Sequence, residues 1–197
     1  MILAAGRGRR LGDVPKAVLR GPDGATFLET IASRFRRAAG AEIVVVTGGR
    51  HRAATEAEAG RLGLAVVVNP SAERGMASSV ASGFAFARAA FAARAAFLWP
   101  VDHALVWAET LACLAGAAEE GGVVVPRYVG RGGHPVAVGR ALWGELARCE
   151  AAPAGARTVL RERGARRRVL DVADPGAVCD IDTPRDRARL ARAEGPW

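Results

Sequence analysis

A glycine-rich loop crowded with cations follows the first apolar residues of the chain. Residues 6–16, spelled GRGRRLGDVPK, include Gly6, Arg7, Gly8, Arg10 and Lys16. Glycines allow backbone N–H groups to curl toward an anion, and cationic side chains neutralise its charge. Lys16 is the only lysine among the 28 basic residues, which indicates that a compact, mobile charge is needed there. The loop predicts a polyphosphate site; the alternative is a surface loop in an arginine-rich chain.

Two other phosphate-binding loops do not fit this stretch. A Walker A loop ends in Gly-Lys-Ser/Thr, and no such ending follows here. In the dinucleotide fingerprint Gly-x-Gly-x-x-Gly, Leu11 stands in place of the third glycine. The acidic residue expected after the second strand is also missing, because that apolar run continues into Thr47 and Gly48. Both kinds of site are therefore disfavoured.

Three aspartates near the ends of extended segments are candidates for holding a divalent cation. Asp102 comes just beyond the strand predicted over 96–99, where open parallel sheets carry ligand-binding groups. Asp180 and Asp182 alternate with an isoleucine, so both carboxylates are expected on one face of an extended segment. Paired carboxylates suit a divalent cation. The alternative for Asp182 is a cap on the last helix, a role that Thr183 could also fill.

Two more polar segments lie between these positions. Residues 69–83, NPSAERGMASSVASG, bring Ser78, Ser79 and Ser82 into the start of a helix. Their N–H and hydroxyl groups can bind a ligand or simply cap the helix. Residues 127–135, RYVGRGGHP, form a glycine-rich loop with cations and one imidazole. Its histidine is equally compatible with a ligand contact and with a hydrogen bond to the turn backbone.

Apolar runs separated by helical patterns predict the framework that positions these residues. Nearly all-apolar runs are typical of strands buried on both faces of a parallel sheet. Thr26 with Glu29 three residues later predicts the capped start of a helix. The alternation β-α-β-α-β indicates a layered α/β architecture. Strands are predicted over 2–5, 41–46, 64–68, 96–99, 122–126, 136–138 and 169–172, and further helices over 52–62, 81–93, 107–118, 141–148, 156–163 and 185–193.

Composition narrows the classes of function. A chain of 197 residues is long enough for one substantial core, so 1–197 is predicted to be a single domain. No apolar run approaches the roughly 20 residues of a membrane span, and no signal sequence is apparent, so a cytoplasmic protein is predicted. The scattered cysteines and histidines lack metal-type spacing.

The net charge of +8 is compatible with nucleic acid, an anionic membrane surface or small phosphorylated ligands. Aromatic residues make up only 6% of the chain and do not interleave with arginines as a base-stacking platform would. The dense basic cluster over 161–168 is interpreted as the solvated end of a helix. No nucleic-acid or membrane partner is therefore predicted.

The order of the motifs resembles that of a known family. The sequence contains, in order, LAAGRGRRLG with PK after it, NPSAERGMASSVASG, PVDH, RGGHP, GAR and DIDTPRD. This series resembles the molybdenum cofactor nucleotidyltransferases, which include molybdopterin-guanine-dinucleotide synthases, and most closely their cytidylyltransferase branch. LAAG with a downstream PK is shared by the wider superfamily, including methylerythritol phosphate cytidylyltransferases. The combination of GMASS, GGHP and DIDTP is more specific, and the likeness covers nearly the whole chain.

The resemblance implies a three-layer α/β/α nucleotidyltransferase fold with a mixed, mostly parallel sheet. It also implies transfer of a nucleotidyl group from an NTP to a phosphate monoester, with release of pyrophosphate. Ala5, in the third place of LAAG, favours CTP over GTP, and molybdopterin is the expected acceptor. One rival hypothesis keeps this chemistry but uses a sugar or polyol phosphate. Another is a non-catalytic, cofactor-binding maturation partner of a molybdenum hydroxylase.

The same resemblance implies roles for individual residues. The predicted catalytic residues, which position and neutralise the reacting phosphates, are Lys16, Arg10 and Asp102. The predicted Mg²⁺ ligands are Asp102, Asp180 and Asp182. The predicted acceptor-binding residues are Arg131 and His134. The predicted nucleotide-binding residues are Ala4, Ala5, Gly6, Arg7, Gly8, Arg10, Lys16, Gly75 and Ser79.

Two positions depart from the family's pattern. In the family a proline usually stands two residues after the aspartate, where this chain has Ala104. This departure should affect only the turn after Asp102. Pro153 occupies a position that is usually acidic, two residues before GAR. The second departure weakens the expectation that this segment binds the acceptor.

Overall fold

A mixed β-sheet forms the framework of the protein. The computed structural model describes residues 1–39, 42–162 and 166–191. Within these residues the strands are β1 (Ile2–Leu3), β2 (Val44–Gly48), β3 (Ala65–Asn69), β4 (Ala95–Pro100), β5 (Gly122–Tyr128), β6 (Arg131–Gly132), β7 (Val136–Gly139) and β8 (Arg166–Asp171). Their order is β3-β2-β1-β4-β7-β5-β6, and β8 pairs with β5.

Helices cover both faces of this sheet. They are α1 (Phe27–Ala39), α2 (Arg52–Arg61), α3 (Met76–Ala90), α4 (Ala108–Ala117), α5 (Trp143–Leu146), α6 (Ala156–Glu162) and α7 (Pro184–Ala191). Side chains of α1, α2, α4 and α7 share one buried cluster. Those of α3, α5 and α6 share another. The predicted three-layer arrangement with a mixed, mostly parallel sheet is therefore confirmed.

The apolar runs are nearly continuous because successive residues of each central strand pack against different helix layers. In β2, Val45 packs in the cluster beneath α1 and α4, while Val44 and Val46 pack in the cluster beneath α3 and α5. Ile2 and Leu3 of β1 divide in the same way. Side chains that alternate between two buried faces must all be apolar, which explains the absence of a polar alternation.

The parallel part of the sheet brings three loops to one edge. β1 pairs in parallel with β2 and with β4, so that Leu3 is aligned with Val46 on one side and Pro100 on the other. The segments that follow these strands therefore start side by side. They are the glycine-rich loop, the loop at 48–51 and the loop that carries Asp102.

Several predicted boundaries shift in the structure. The strand predicted over 64–68 is β3, and it is an edge strand with Val68 36% exposed rather than a strand buried on both faces. The basic cluster is not simply a helix end, since Arg166, Arg167 and Arg168 belong to β8. The predicted cap at Thr26 is present, because its Oγ1 accepts a hydrogen bond from the N–H of Glu29 at 3.1 Å.

Three predicted ends fall outside the described residues: position 41 in the second strand, position 163 in the helix over 156–163, and positions 192–193 in the last helix. No helix within the described residues combines the length and the hydropathy needed to cross a membrane.

Candidate functional site

The ammonium of Lys16 joins two carboxylates that are remote in sequence. Lys16 Nζ donates hydrogen bonds to Asp102 Oδ2 at 2.8 Å and to Asp182 Oδ1 at 2.6 Å. Lys16 reaches this position from a short 3-10 turn after Pro15, and Asp102 reaches it from the end of β4. The three side chains form one charged centre at the carboxyl ends of β1 and β4.

The segment before α7 is fixed beside this centre by its backbone. The N–H of Ile181 donates to the carbonyl of Asp102 at 3.1 Å, and the Ile181 side chain is fully buried. Asp182 is then placed against Lys16, whereas Asp180 is exposed. Thr183 provides the helix cap, since its Oγ1 accepts from the N–H of Asp186 at 3.2 Å. Asp182 is thus left available for Lys16.

A second cation completes the charged centre. Arg10 Nη1 lies 2.5 Å from Asp182 Oδ2, and the Arg10 side chain is 74% exposed. The Lys16 side chain, in contrast, is only 10% exposed. Arg10 can therefore move toward a ligand, while Lys16 is held inside the site by its two carboxylate partners.

The environment keeps Lys16 charged. Burial alone would lower the Lys16 pKa, but the attraction and hydrogen bonds of Asp102, together with those of Asp182, outweigh it and raise the pKa above 10.5. An ammonium with a raised pKa stays protonated through the physiological range. Lys16 is therefore a permanent positive charge at the site, suited to neutralising an anion and not to acting as a base.

The glycine-rich loop is shaped by close backbone contacts. Gly8 has φ 61°, and a Cβ at this position would lie 2.4 Å from the carbonyl oxygen of Val14. Only glycine fits there, because an L side chain would clash with the backbone and disfavour this φ. Ala4 and Ala5 are buried just before the turn, and Gly6 and Arg7 are exposed. The loop therefore presents Gly6 and Arg7 to solvent on a tightly closed base.

The predicted nucleotide contacts on α3 lie beneath a compact polar turn. Ser79 is 4% exposed, and its hydroxyl accepts a hydrogen bond from Asn69 Nδ2 at 3.0 Å. Asn69 Nδ2 also donates to Ser78 Oγ, which in turn donates to the carbonyl of Gly75 at 2.8 Å. Gly75 itself is exposed. These bonds fix the β3–α3 connection, and they use Ser79 as an acceptor.

The two predicted acceptor residues lie in different surroundings. The His134 ring lies 4.8 Å from the ring of His103, the residue after Asp102, measured between centroids. Burial, with a smaller contribution from the neighbouring imidazole, lowers the His134 pKa to about 4. Burial lowers the His103 pKa as well. His134 therefore joins the charged centre as half of a neutral imidazole pair, whereas Arg131 is exposed in β6.

The charged centre fits a divalent cation that arrives with its substrate. Among the described residues, no group of three or more His, Cys, Asp or Glu side chains could hold a metal by itself. Mg²⁺ typically takes one or two carboxylates and completes its coordination with water and substrate phosphates. Asp102 and Asp182 are such a pair, because both already share one cationic partner.

A buried aspartate holds the loop that follows Asp102. Asp174 is 1% exposed; its Oδ2 accepts from the Trp107 N–H and from Thr110 Oγ1, both at 2.8 Å, and its Oδ1 accepts from the Gly176 N–H at 2.8 Å. Arg34 holds the same loop by donating to the carbonyls of Ala104 and Val106. The loop carrying Asp102 and His103 is therefore fixed at its far end.

We expect Asp174→Ala to lower the free energy of unfolding by about 3 kcal/mol, because two buried donors and one partly buried donor would lose their acceptor. Denaturant unfolding of the purified variant measures this change. Thr110→Val removes only one of the three hydrogen bonds and should cost about 1 kcal/mol. An Asp174→Ala variant no less stable than Thr110→Val would contradict this role.

Several residues at the site were not predicted from the sequence. His103 lies in the motif PVDH, but nothing in the sequence indicated a role for it, and Asp174 and Arg34 lie in none of the motifs that carry the family resemblance. All three act through contacts between distant segments. Asp13 in the glycine-rich loop and Arg50 after β2 form an ion pair with Oδ2 and Nη1 2.5 Å apart. The only sequence signal for that pair is an acidic residue inside an otherwise basic loop.

The chain is similar to known proteins over most of its length. A family model described as "MobA-like NTP transferase domain" matches residues 1–169. The chain is 30% identical over 197 residues to a protein of Paenarthrobacter nicotinovorans named nicotine blue oxidoreductase, covering 96% of this chain and 94% of that protein.

Solved structures share the whole fold. Rv0371c from Mycobacterium tuberculosis H37Rv is 32% identical, with a TM-score of 0.80, over 97% of this chain and 96% of that chain. A complex of Rv0371c with manganese is 28% identical with a TM-score of 0.74, covering 98% and 97% of the two chains. A nucleotidyl transferase from Methanothermobacter, 22% identical with a TM-score of 0.79 over 98% and 94%, has the same fold.

Proposed function

Because the chain belongs to the MobA-like NTP transferase domain family, we propose that it transfers CMP from CTP to a phosphate monoester and releases pyrophosphate. The proposed acceptor is molybdopterin, and the proposed metal is Mg²⁺. The observation that carries this proposal is the contact of Lys16 with both Asp102 and Asp182, at 2.8 and 2.6 Å. A cation and two carboxylates meet beside the glycine-rich loop, which is what transfer between two phosphates requires.

The reaction is an in-line displacement at the α-phosphorus of the NTP. An acceptor phosphate oxygen forms the new P–O bond while the bond to the oxygen bridging the α- and β-phosphorus breaks, and pyrophosphate leaves with that electron pair. A phosphate monoester is already largely a dianion near pH 7, so no side chain has to activate it. The protein therefore needs to position the two phosphates and to neutralise their charge.

The chain's own cations perform that neutralisation. Lys16 lies at the carboxyl end of β1, and the exposed Arg10 can swing from Asp182 toward the phosphates. Both cations stabilise the charge that builds on the leaving pyrophosphate. When bound, a divalent cation supplies Lewis-acid stabilisation of the same charge, and Asp102 with Asp182 would hold it. That the relative Rv0371c has been solved in complex with manganese supports the use of a divalent metal.

The nucleotide is proposed to lie across the ends of β1 and α3. Ala4, Ala5 and the Gly6 to Gly8 turn would contact the base and phosphates, with Arg7 at the exposed rim. Gly75 is exposed and would contact the base and ribose, whereas the buried Ser79 would support that contact from beneath through its hydrogen bond with Asn69. The alanine in third place of LAAG supports CTP, since the family associates glycine at that place with GTP.

The acceptor is proposed to approach from the imidazole pair. His134 is half-buried against His103, which adjoins Asp102, so a ligand touching His134 would present its phosphate to the charged centre. A neutral imidazole can both accept and donate hydrogen bonds, which suits a pterin ring rich in N–H and carbonyl groups. Arg131 on the exposed β5–β6 hairpin would contact the acceptor from outside.

A donor and acceptor panel tests this proposal. The purified chain is mixed with CTP, GTP, ATP or UTP and Mg²⁺ or Mn²⁺, together with molybdopterin, a sugar phosphate, a polyol phosphate or no acceptor. Release of pyrophosphate is measured. We expect the fastest release with CTP and molybdopterin, and none without acceptor. Arg52→Met, which loses an exposed ion pair within α2, should behave like the wild type.

Other outcomes of the panel identify the rival functions. Pyrophosphate release only with a sugar or polyol phosphate would show that the acceptor is not molybdopterin. A preference for GTP would show that the donor is not CTP. Tight equilibrium binding of CTP without any pyrophosphate would favour a non-catalytic maturation partner of a molybdenum hydroxylase. Each of these results contradicts the proposal at one identifiable step.

The name of one relative favours a second candidate, oxidoreduction. The protein of Paenarthrobacter nicotinovorans that is 30% identical to this chain is named nicotine blue oxidoreductase. The charged centre has no obvious use in electron transfer, so this remains the weaker candidate. Following the absorbance of nicotine blue with the chain and a reduced nicotinamide dinucleotide tests it. Dye reduction that depends on the chain, without pyrophosphate release in the panel, would favour oxidoreduction.

A further inference from the structure

We infer that Asp13 is a positioning residue that clasps the glycine-rich loop to the loop after β2 and so pre-forms the nucleotide site. The clasp consists of Asp13, Arg7, Arg50 and His51 and their contacts. It rests on the proposed binding of a nucleoside triphosphate at the glycine-rich loop. It adds to that proposal a residue whose role is to hold the loop, without touching the reacting atoms.

The backbone of Asp13 lies in the left-handed region, which few residues other than glycine, asparagine and aspartate adopt. Its φ is 63°, and among the described residues only Val129 is another non-glycine with positive φ. The N–H of Asp13 donates to the carbonyl of Gly8 at 3.0 Å, which closes the loop upon itself. A non-glycine residue in the left-handed region costs free energy and persists only where its surroundings enforce it. Such a residue in a ligand-binding loop is therefore a reason to look for a role.

The Asp13 carboxylate is surrounded by three basic side chains from two loops. Arg50 Nη1 lies 2.5 Å from Oδ2, and Arg7 Nε lies 3.6 Å from Oδ1. His51 Nε2 lies 3.7 Å from the same Oδ1. Arg7 belongs to the glycine-rich loop, whereas Arg50 and His51 follow β2. One carboxylate therefore draws together two guanidinium groups that would otherwise repel each other, with an imidazole beside them.

The carboxylate is charged under ordinary conditions. Partial desolvation would raise the Asp13 pKa, but the nearby Arg7 side chain and the attraction of Arg50 and His51 lower it overall. Asp13 Oδ1 is shielded from solvent and has no hydrogen-bond partner among the described residues. This oxygen is held by charge alone, which is consistent with a carboxylate placed to attract basic groups.

A second link joins the same two loops independently of the carboxylate. His51 Nε2 lies 3.2 Å from the carbonyl oxygen of Arg7, within hydrogen-bond distance. The glycine-rich loop is thus tied to the start of α2 through both a side chain and a backbone carbonyl. β1 and β2 are neighbours in the sheet, so these ties hold two loops that begin side by side.

The clasp reduces the entropic cost of binding. A free loop with glycines at positions 6, 8 and 12 samples many backbone conformations, and ordering it at the moment of binding weakens affinity. A loop that is already closed presents its N–H groups to the phosphates without that cost. The clasp should therefore affect affinity for the nucleotide and leave the rate at saturation nearly unchanged.

The opposite role predicts the opposite sign. If the Asp13 carboxylate only occupied the place of a phosphate among Arg7 and Arg50, its removal would free two cations for the nucleotide. Affinity would then rise. The direction of the change in dissociation constant thus distinguishes a positioning residue from a competing anion.

Asp13→Asn is the decisive variant, because asparagine tolerates a positive φ and differs mainly in charge. We expect its dissociation constant for CTP, measured by titration with Mg²⁺ present, to rise about tenfold, as if a tenth of the loops were closed. Asp13→Gly relieves the backbone strain and should show the same loss of affinity with an undiminished melting temperature. Arg50→Met should show the same loss of affinity for CTP as Asp13→Asn. The double variant of Asp13→Asn and Arg50→Met should lose no more affinity than either single variant.

Arg52→Met is the matched control, since Arg52 lies two residues from Arg50 and pairs with Glu56 within α2. It should bind CTP as the wild type does. Amide hydrogen exchange over residues 6–16 without nucleotide should speed up in Asp13→Asn and not in Arg52→Met. In turnover, KM for CTP should rise about tenfold with kcat within about twofold.

The outcomes separate the clasp from the proposed function. Wild-type binding of CTP with unchanged or tighter binding by Asp13→Asn overturns the clasp and leaves the proposed function standing. A wild type that binds CTP but never releases pyrophosphate overturns the catalytic proposal, and the clasp is then judged on binding alone. A fall in melting temperature that parallels the loss of affinity in Asp13→Gly would show a merely structural role and overturn the clasp.

Discussion

Replacing Lys16 by methionine is expected to slow nucleotidyl transfer by about 100- to 1000-fold, because the reaction loses its buried cation. Lys16 Nζ touches Asp102 and Asp182 at 2.8 and 2.6 Å, and its side chain is 10% exposed. Methionine keeps an unbranched apolar stem, ends one atom short of the lysine nitrogen and carries no charge. The loss should therefore appear mainly in kcat for pyrophosphate release.

Binding of a divalent cation provides a second readout of the same variant. In the wild type the ammonium holds the two carboxylates that are proposed to receive the metal. Its removal leaves two negative charges facing one site, so Mn²⁺ should bind more tightly in the absence of nucleotide. Tighter metal binding combined with slower turnover is a pattern that simple unfolding cannot produce.

The pH dependence of Lys16 follows from the sign of its pKa shift. The Lys16 pKa is raised above 10.5, since Asp102 and Asp182 outweigh the effect of burial. The stabilisation from this ammonium is thus complete below the ordinary lysine value and is lost only as pH rises through the raised pKa. Between about pH 7 and pH 10, Lys16 should therefore contribute no ionisation step to the pH profile of kcat. The profiles of the wild type and Lys16→Met should have the same shape in this range.

Lys16→Arg is the control that keeps the positive charge and changes the shape of the cationic group. A guanidinium keeps the positive charge but is planar and larger than an ammonium, so only part of the rate should return. Lys16→Met with kcat close to that of the wild type would rule out the mechanism. Full activity in Lys16→Arg would show that any cation suffices there.

The order of the central strands explains why much of the site could be predicted from the sequence. Apolar runs followed by polar loops identify parallel strands, and the carboxyl ends of neighbouring parallel strands meet at one edge. This rule places the loop containing Lys16 and the loop containing Asp102 at the same edge of the sheet. The pairing of β1 with β4, which brings Lys16 into contact with Asp102 across 86 residues, is a finding of the structure. The MobA-like NTP transferase family, predicted from the order of the motifs, is also confirmed.

The antiparallel half of the sheet could not be predicted in the same way. β7 lies between β4 and β5 and pairs antiparallel with both. Its residues, VAVG, have the composition of any buried strand and carry no signal of direction or neighbour. The contact of His134 with His103 depends on that placement, because His134 precedes β7 and His103 follows β4. The imidazole pair was therefore invisible to sequence reasoning.

Ion pairs between distant segments are a second feature that could not be predicted from the sequence. Asp13 meets Arg50 across 37 residues, and Asp182 meets Lys16 across 166 residues. Charge patterns along a chain predict contacts within a helix turn or between paired strands, and neither applies to loops. The expectation that Asp180 and Asp182 share one face assumed an extended strand. That segment is instead an irregular connection between a 3-10 turn and α7.

Asp182→Asn should lower kcat for pyrophosphate release by about 100-fold, whereas Asp180→Asn should change it by less than about threefold. Asp182 has two cationic partners, Lys16 at 2.6 Å and Arg10 at 2.5 Å, while Asp180 is exposed to solvent. Asparagine is nearly the same size as aspartate, so the comparison isolates charge. Parallel rate measurements over a range of Mg²⁺ concentrations check both values, and only Asp182→Asn should require more metal.

The two substituted residues lie two positions apart, at the ends of a three-residue segment, so each variant is the other's control for folding. Ile181 between them is buried and anchors the segment to the carbonyl of Asp102, which neither substitution disturbs. A larger loss in Asp180→Asn than in Asp182→Asn would mean that the segment turns over when the substrates bind, exchanging one carboxylate for the other. Because Ile181 holds its place in the core, we expect Asp182 to remain the carboxylate that faces Lys16.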